Sequence, residues 1–306
     1  TYAITFVSAN LTIEQMEISV TIDDVSKNYG DNDPDFTYSS AGLLEGDSLT
    51  GAATRVSGEN VGDYVISEGT LGGGDNYILT GVTAGSLAID PRPLEIYVNG
   101  ATSEYGESLP THEIGGTNGL VNGDAIGSLT YSYSSTPTNV GEYTITGSDP
   151  VFSSGSASNY SIVIYTAVLT ITPRAITLKA DDLGETDPTL TWTLDTGSFV
   201  NSDTTTGALA RAEGEGAGTY TIGAGTLSAG DNYTLTVTEG TFTISPRAIT
   251  ITADEQSKDY GDGDPTATWT VTTGSLVDGD ALVGWLGRDT GEGAGTYAYN
   301  LGVVGE

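Results

Sequence analysis

Cysteine is absent from this chain of 306 residues, which excludes disulfides and thiolate metal sites. Histidine occurs once, at His112, so no imidazole cluster is available for metal or general-base chemistry. Lys and Arg together number 9 against 41 acidic residues, for a net charge of −32. Without a basic footprint to neutralise phosphates, nucleic acid and anionic membranes are poor partners. No apolar run approaches the roughly 20 residues of a membrane helix, so membrane insertion is not expected. No signal-peptide pattern is present, and the chain reads as mature or excised sequence. The G-x-S-x-G, HExxH and phosphate-loop signatures are missing too. Paired carboxylates occur everywhere, which makes none of them specific, and no catalytic residue is assigned.

What the chain does contain is a repeated phrase. Pro173-Arg174-Ala175-Ile176 returns as Pro246-Arg247-Ala248-Ile249, and Gly214–Tyr220 returns letter for letter as Gly291–Tyr297. The closing tyrosine recurs at Tyr64, Tyr143, Tyr220 and Tyr297, and the proline of an acidic turn at Pro34, Pro110, Pro188 and Pro265, a period near 77 residues. Such spacing defines a tandem array. A unit of that size is marginal by itself, because it buries only about 60% of its unfolded surface.

The local periodicity is that of strands. Ile176-Thr177-Leu178, Ile249-Thr250-Ile251, Thr191–Leu194 and Thr268–Val271 alternate apolar residues with threonine, and Gly/Asp/Asn turns separate such runs. The expected fold is all-β: four small antiparallel modules, β-sandwich or β-grasp-like, in an elongated rod. The one place for a short helix is Asp278–Leu286 and its counterparts. Residues 14–90, 91–172, 173–245 and 246–306 form modules 1 to 4, with Glu14-Gln15 standing where later modules have Pro-Arg. Residues 1–13 align with Asn159–Ile171 and Asn232–Ile244, the last strand pair of a module. Module 4 stops before its own such pair.

That phase match suggests strand exchange. Residues 1–13 of one copy would fill the open edge of module 4 of another, with Ile4, Phe6, Leu11 and Ile13 as apolar anchors. The association is heterologous, so it builds an open head-to-tail homopolymer. An arbitrary cut through a longer array is the competing explanation of the two ends.

The phrases Ser257-Lys258-Asp259-Tyr260-Gly261-Asp262, Gly274-Ser275-Leu276-Val277, Gly291-Glu292, Leu227–Tyr233 and Gly240–Ile249 resemble the MBG-type repeat of bacterial surface proteins. The resemblance covers essentially the whole chain and is weakest in module 2. It implies an extracellular or cell-surface bacterial protein with a small β-rich fold, in long adhesin-like arrays without catalytic residues. The expected function is the structural subunit or stalk of a filament. The alternatives are an adhesin module that binds a glycan or host protein, and a passive calcium-stiffened spacer.

Several residues carry specific expectations. Asp31, Asp33 and Asp35 in module 1, and Asp262 and Asp264 in module 4, alternate in a glycine-containing turn and can supply oxygens to Ca²⁺. The plainer reading of these acids is turn chemistry. Arg92, Arg174 and Arg247 sit at module junctions, where they are expected to contact acids of a neighbouring module. Arg55, Arg211 and Arg288 precede Glu59, Glu215 and Glu292 and suggest ion pairs. The repeated aromatics, Tyr29, Tyr105, Tyr260, Trp192 and Trp269, read as core rather than as a sugar platform. Trp285 is the exception and the candidate ligand contact, because it replaces Ala208 of the preceding module.

Overall fold

The computed structural model describes residues 1–184 and 187–305, with side chains as far as residue 302. The chain divides into two compact units, Thr1–Arg174 with Asp231–Thr234, and Ala175–Gly230 with Leu235–Glu306.

Module 1 contains seven strands: β1 (Met16–Ile22), β2 (Val25–Asn28), β3 (Tyr38–Ala41), β4 (Thr54–Arg55), β5 (Gly62–Ser67), β6 (Tyr77–Thr83) and β7 (Gly85–Asp90). They form two sheets, ordered β3-β1-β6 and β2-β7-β5-β4. The period-2 pattern of β1 sends Ile18, Val20 and Ile22 inward. The second sheet contributes Ile66, Leu87 and Ile89. The chain crosses from one sheet to the other between β6 and β7, so this strand pair supplies a member to each sheet. It pairs in parallel with β1 on one side and with β2 on the other. The sheets are therefore antiparallel-rich but mixed. A chain that leaves β1 and returns to it only after four intervening strands can come back in the same direction.

Module 2 repeats the plan with β8 (Arg92–Val98), β9 (Ala101–Glu104), β10 (Ile114–Asn118), β11 (Ala125–Tyr133), β12 (Gly141–Ser154), β13 (Tyr160–Tyr165) and β14 (Ala167–Thr172). Its sheets run β10-β8-β13 and β11-β12-β14-β9. The insertion near Asp149 lengthens β12 to 14 residues. A single turn of 3-10 helix, Ala157–Asn159, precedes β13 and is the one helical element among the described residues.

Module 3 holds β15 (Arg174–Ala180), β16 (Leu183–Gly184), β17 (Trp192–Thr196), β18 (Ala210–Arg211), β19 (Gly218–Gly223), β20 (Tyr233–Thr238) and β21 (Gly240–Ile244). Its sheets are β17-β15-β20 and β16-β21-β19-β18. Ala180 of the first sheet packs with Ile222 and Phe242 of the second, and with Leu209 beside them. Two sheets closed over one core make a sandwich-like module. The turn proposed as a helix site at Asp278–Leu286 leads instead into a strand.

Module 4 differs. It has β22 (Thr250–Ala253), β23 (Trp269–Thr273), β24 (Val283–Arg288) and β25 (Tyr299–Gly305), in two separate antiparallel pairs, β22 with β23 and β24 with β25. Among its described residues no strand corresponds to β2, β6 or β7. No described side chain from Pro246 onward is buried. Residues 1–13 form no strand, and every one of them is exposed.

The structure also moves the module 1 alignment by one residue. Met16 pairs with Tyr77 as Arg92 pairs with Tyr160. Gln15-Met16, not Glu14-Gln15, therefore stands in the place of Pro-Arg. The shift follows from burial, since Ile18, Leu94 and Ile176 are the first buried residues of their strands.

Candidate functional site

Two junctions in the first unit are built alike. At the first, the Asn159-Tyr160 corner of module 2 sits on the acidic turn and the Glu59–Gly62 loop of module 1. Asn159 is only 1% exposed. Its Oδ1 accepts from Val61 N at 3.0 Å, and its Nδ2 donates to Asn60 Oδ1 at 3.0 Å. The Tyr29 and Tyr160 rings meet edge to face, with centroids 5.4 Å apart. Both hydroxyls donate to Asp124 Oδ2, at 3.0 and 2.7 Å. Burial, together with the Asp124 carboxylate, pushes the Tyr160 hydroxyl up to about 12. Arg92 Nη1 donates to the Tyr29 carbonyl at 3.1 Å and to Asp31 Oδ1 at 2.7 Å.

Gly30 explains why the turn carries glycine. Its φ is +81°, and a Cβ there would lie 2.5 Å from Val121 Cγ2 of module 2. Only glycine accepts both the left-handed backbone and the close approach.

The second junction repeats these bonds with other residues. Asn232 Oδ1 accepts from Val140 N at 2.9 Å, and Asn232 Nδ2 donates to Asn139 Oδ1 at 3.1 Å. Tyr105 and Tyr233 meet at 5.5 Å with the same interplanar angle, 79°. Arg174 Nη1 donates to the Tyr105 carbonyl at 3.2 Å and to Glu107 Oε1 at 3.0 Å, with Glu104 Oε1 also 3.2 Å away. A fully hydrogen-bonded buried asparagine fixes position as well as adding stability, because no other placement satisfies its amide. The Asn-Tyr pair stood in the sequence at each of these places, yet its bonding role was missed. The signal was its recurrence beside the loop it docks on.

A second recurring device stiffens this loop in modules 1, 3 and 4. In module 1, Arg55 Nε donates to Asp33 Oδ2 at 2.6 Å, and its Nη2 pairs with Glu59. Its Nη1 caps the Gly58 carbonyl at 2.6 Å, and its guanidinium lies over the Tyr64 ring. Lys27, almost fully buried, reaches Asp33 Oδ1 at 2.7 Å and Glu59 Oε2 at 2.8 Å. Burial pulls the Lys27 ammonium down, but the bonds from Asp33 and Glu59 outweigh it and hold it above its usual value. Such an amine stays protonated and is not a nucleophile. The Arg55 hydrogen bond holds the Asp33 carboxyl below its usual range against burial, with Lys27 adding to it.

Module 4 has the same device. Arg288 and Lys258 hold Asp264 at 2.6 and 2.5 Å, and with Arg288 as the larger cause its carboxyl falls to about 2. In module 3, Arg211 pairs with Asp187 and Glu215. Module 2 has Tyr133 where Arg55 would stand, since Tyr133 faces Ile145 as Arg55 faces Ile66. There, His112 Nε2 lies 2.6 Å from the Tyr133 hydroxyl.

The structure thus gives three of the five acids considered for calcium to cationic side chains. Asp33 and Asp264 are each held by a lysine and an arginine, and Asp31 faces Arg92. Asp262 and Asp35 are exposed. Among the described residues, no group of three or more His, Asp or Glu side chains is placed to hold a metal ion.

Arg247 approaches the carbonyl and hydroxyl of Ser275, at 3.4 and 3.5 Å, within its own module. Trp285 lies on β24 opposite Val303 and is exposed, as is its counterpart Ala208. Ile4, Phe6, Leu11 and Ile13 are exposed together with Tyr2 and Val7, each by 84% or more.

The aromatics expected in the core divide by module. Tyr29 and Tyr105 are buried, at 6% and 4%, whereas Tyr260 in the matching turn of module 4 is 82% exposed. Tyr260 borders an open cleft of about 420 Å³, also lined by Lys258, Asp264, Gly293, Ala294 and Tyr297.

A family model described as the MBG domain (YGX type) matches residues 18–88, 94–170, 169–243 and 249–305. The chain belongs to this family. No curated protein matches it. MBG repeats occur in surface proteins, so the chain is a tandem-repeat surface or structural protein. Among its described residues no helix is long and apolar enough to cross a membrane.

Proposed function

We propose that this MBG-type chain is the structural subunit of an extracellular bacterial filament or stalk, joined head to tail by strand completion. Residues 1–13 of one copy take the place in module 4 that β20 and β21 hold in module 3. One observation carries the reading. Among its described residues module 4 has no buried side chain and four strands where module 3 has seven, while the segment whose sequence matches β20 and β21 lies unpaired with its apolar side chains in water. Tyr2, Ile4, Phe6 and Leu11 align with Tyr233, Leu235, Val237 and Phe242. Tyr233 and Phe242 are core residues of module 3. Burying four such side chains is worth about 1.5–3 kcal/mol each. The two strands also close backbone edges that are otherwise open.

Light scattering on the purified chain is expected to show multiples of 31.4 kDa whose proportion rises with concentration. Deleting residues 1–13 should leave a monomer in which modules 1 to 3 remain folded. Multimers that survive the deletion count against the reading.

An adhesive role has one observation in its favour. Trp285 stays on an exposed site even when module 4 is compared with the complete module 3. If that indole contacts a glycan, Trp285→Ala should abolish glycan-array binding without changing the multimer distribution. An array on which the parent chain binds nothing removes this role.

A further inference from the structure

We infer that the face of module 4 around Tyr260 and the Gly293-Ala294 loop is a socket for the Asn76-Tyr77 corner of module 1 of a second copy. The inference rests on the assembly proposed above and names the surface that would orient it. The two junctions inside the chain show what this face holds. Tyr29 and Tyr105 are covered by an Asn-Tyr corner, and the loop amides of Val61 and Val140 donate to its asparagine. In module 4 the same positions are Tyr260 and Ala294, and both are exposed. Gly293 takes the place of Asn60, so its side-chain bond to the incoming amide is lost, but the Ala294 N–H remains as donor.

Module 1 carries the matching half, in which Tyr77 is already buried against its own module while Asn76 and Leu44 are exposed. The Tyr77 hydroxyl donates to Asp47 and accepts from Leu44 N at 3.3 Å. This is the arrangement of Tyr160 with Asp124 and Val121 N, at 2.7 and 3.2 Å. Val121 lies against the Gly30 turn. Leu44, its counterpart, is 59% exposed. Asn159 is buried, whereas Asn76 is exposed. Corner and socket are thus of the same kind as the two filled junctions. If Asn76 docks on Ala294, Asp47 comes to the place where it can accept from the Tyr260 hydroxyl, as Asp124 accepts from Tyr29.

Besides the missing Asn60 counterpart, the copy-to-copy junction differs from the internal ones in a second respect. Met16 stands where Arg92 and Arg174 reach the acidic turn. The turn of module 4 presents Asp262, the counterpart of Asp31, with no arginine from above. This contact is therefore the weaker and more reversible of the three types, and one substitution should strengthen it.

The test is sedimentation equilibrium on the parent, on full-length Asn76→Ala, Tyr260→Ala and Met16→Arg, and on the 1–13 deletion. Asn76 and Tyr260 are exposed and Met16 is half-exposed, so circular dichroism should be unchanged by these substitutions. Asn76→Ala and Tyr260→Ala should each raise the dissociation constant about five- to tenfold, the effect of one or two lost hydrogen bonds. Met16→Arg should lower it about threefold or more, in a salt-dependent way. If the deletion abolishes assembly while all three substitutions leave the constant unchanged, the socket is overturned and strand completion stands. If the substitutions act as stated but the deletion leaves assembly intact, strand completion falls and the socket stands. A parent chain that stays monomeric at the highest concentration overturns both.

Discussion

Modules 1 and 4 share one ionic device and differ in almost everything else. Lysine to the second carboxylate spans 2.8 Å in both, Lys27 to Glu59 and Lys258 to Glu292. Arginine Nε to the turn aspartate spans 2.6 Å in both. Yet Ile18, Val20, Ile66 and Leu87 are buried in module 1, while none of the described side chains of module 4 is. The clamp therefore forms without the core. Its partners come from three segments, Lys27 on β2, Asp33 in the turn that follows and Arg55 with Glu59 at β4 and the loop after it, and none of them lies on the β6–β7 pair. The core needs a strand pair that arrives last in each module and joins both sheets at once. Exposed ion pairs contribute about 0–1 kcal/mol, against about 1.5–3 for each buried aliphatic side chain. The shared device fixes a loop, and the unshared one decides whether the module is a stable body.

The comparison breaks most decisively if the strand pair is supplied in cis. A chain with residues 1–13 moved to follow residue 306 through two glycines places its tyrosine 13 residues after Tyr297, the spacing of Tyr233 after Tyr220. Module 4 should then acquire a core, and amides of β22 to β25 should gain at least about 100-fold in hydrogen-exchange protection. The chain should also be monomeric, since the open edge and the free strand satisfy one another. Unchanged exchange in β22 to β25 would show that residues 1–13 are not the missing strands, despite their matching sequence.

How much of this was legible beforehand follows the same division. The four tandem modules and the all-β class could be read because repetition multiplies weak signals. Asn-Tyr, Gly-Glu-x-x-Gly and Tyr-Gly-Asp recur at fixed spacing. The parallel pairing of β6 with β1 could not be read, since strand order leaves no trace in alternation. The roles of Asn159 and Asn232 were also hidden. Their partners, Asn60 and Asn139, lie about 95 residues away, and only the fold brings them together. The acidic turn is ambiguous in a different way. Alternating aspartates suit a divalent cation and an Arg-Lys clamp equally well, and the cations that occupy Asp33 come from two other segments, at Lys27 and Arg55. Met16 was misplaced by one residue because Gln15 and Met16 resemble neither member of the Pro-Arg pair.

The smallest expected effect sharpens the comparison from the clamp side. Arg55→Ala removes bonds to Asp33, Glu59 and the Gly58 carbonyl. It should cost module 1 on the order of 1 kcal/mol, because these groups stay near solvent. Acid should erase that cost. Asp33 and Asp264 have carboxyls lowered by their arginine and lysine partners, so each is charged more readily folded than unfolded. Their contribution is therefore complete above the ordinary value of 3.8 and lost as pH falls through the lowered value, about 2 at Asp264. Denaturant unfolding of the parent and of Arg55→Ala should thus differ at pH 7 and converge between about pH 4 and 2. Module 2 has Tyr133 in the place of Arg55 and serves as the internal control, since its amide protection should be the same in both chains. A difference between the chains that persists below pH 2 would mean that Arg55 acts by stacking on Tyr64 and capping Gly58 rather than through its carboxylates. The loop would then be an aromatic clamp with charges attached, and the near-identity of the two ionic networks would no longer explain why loops so alike appear in modules so different.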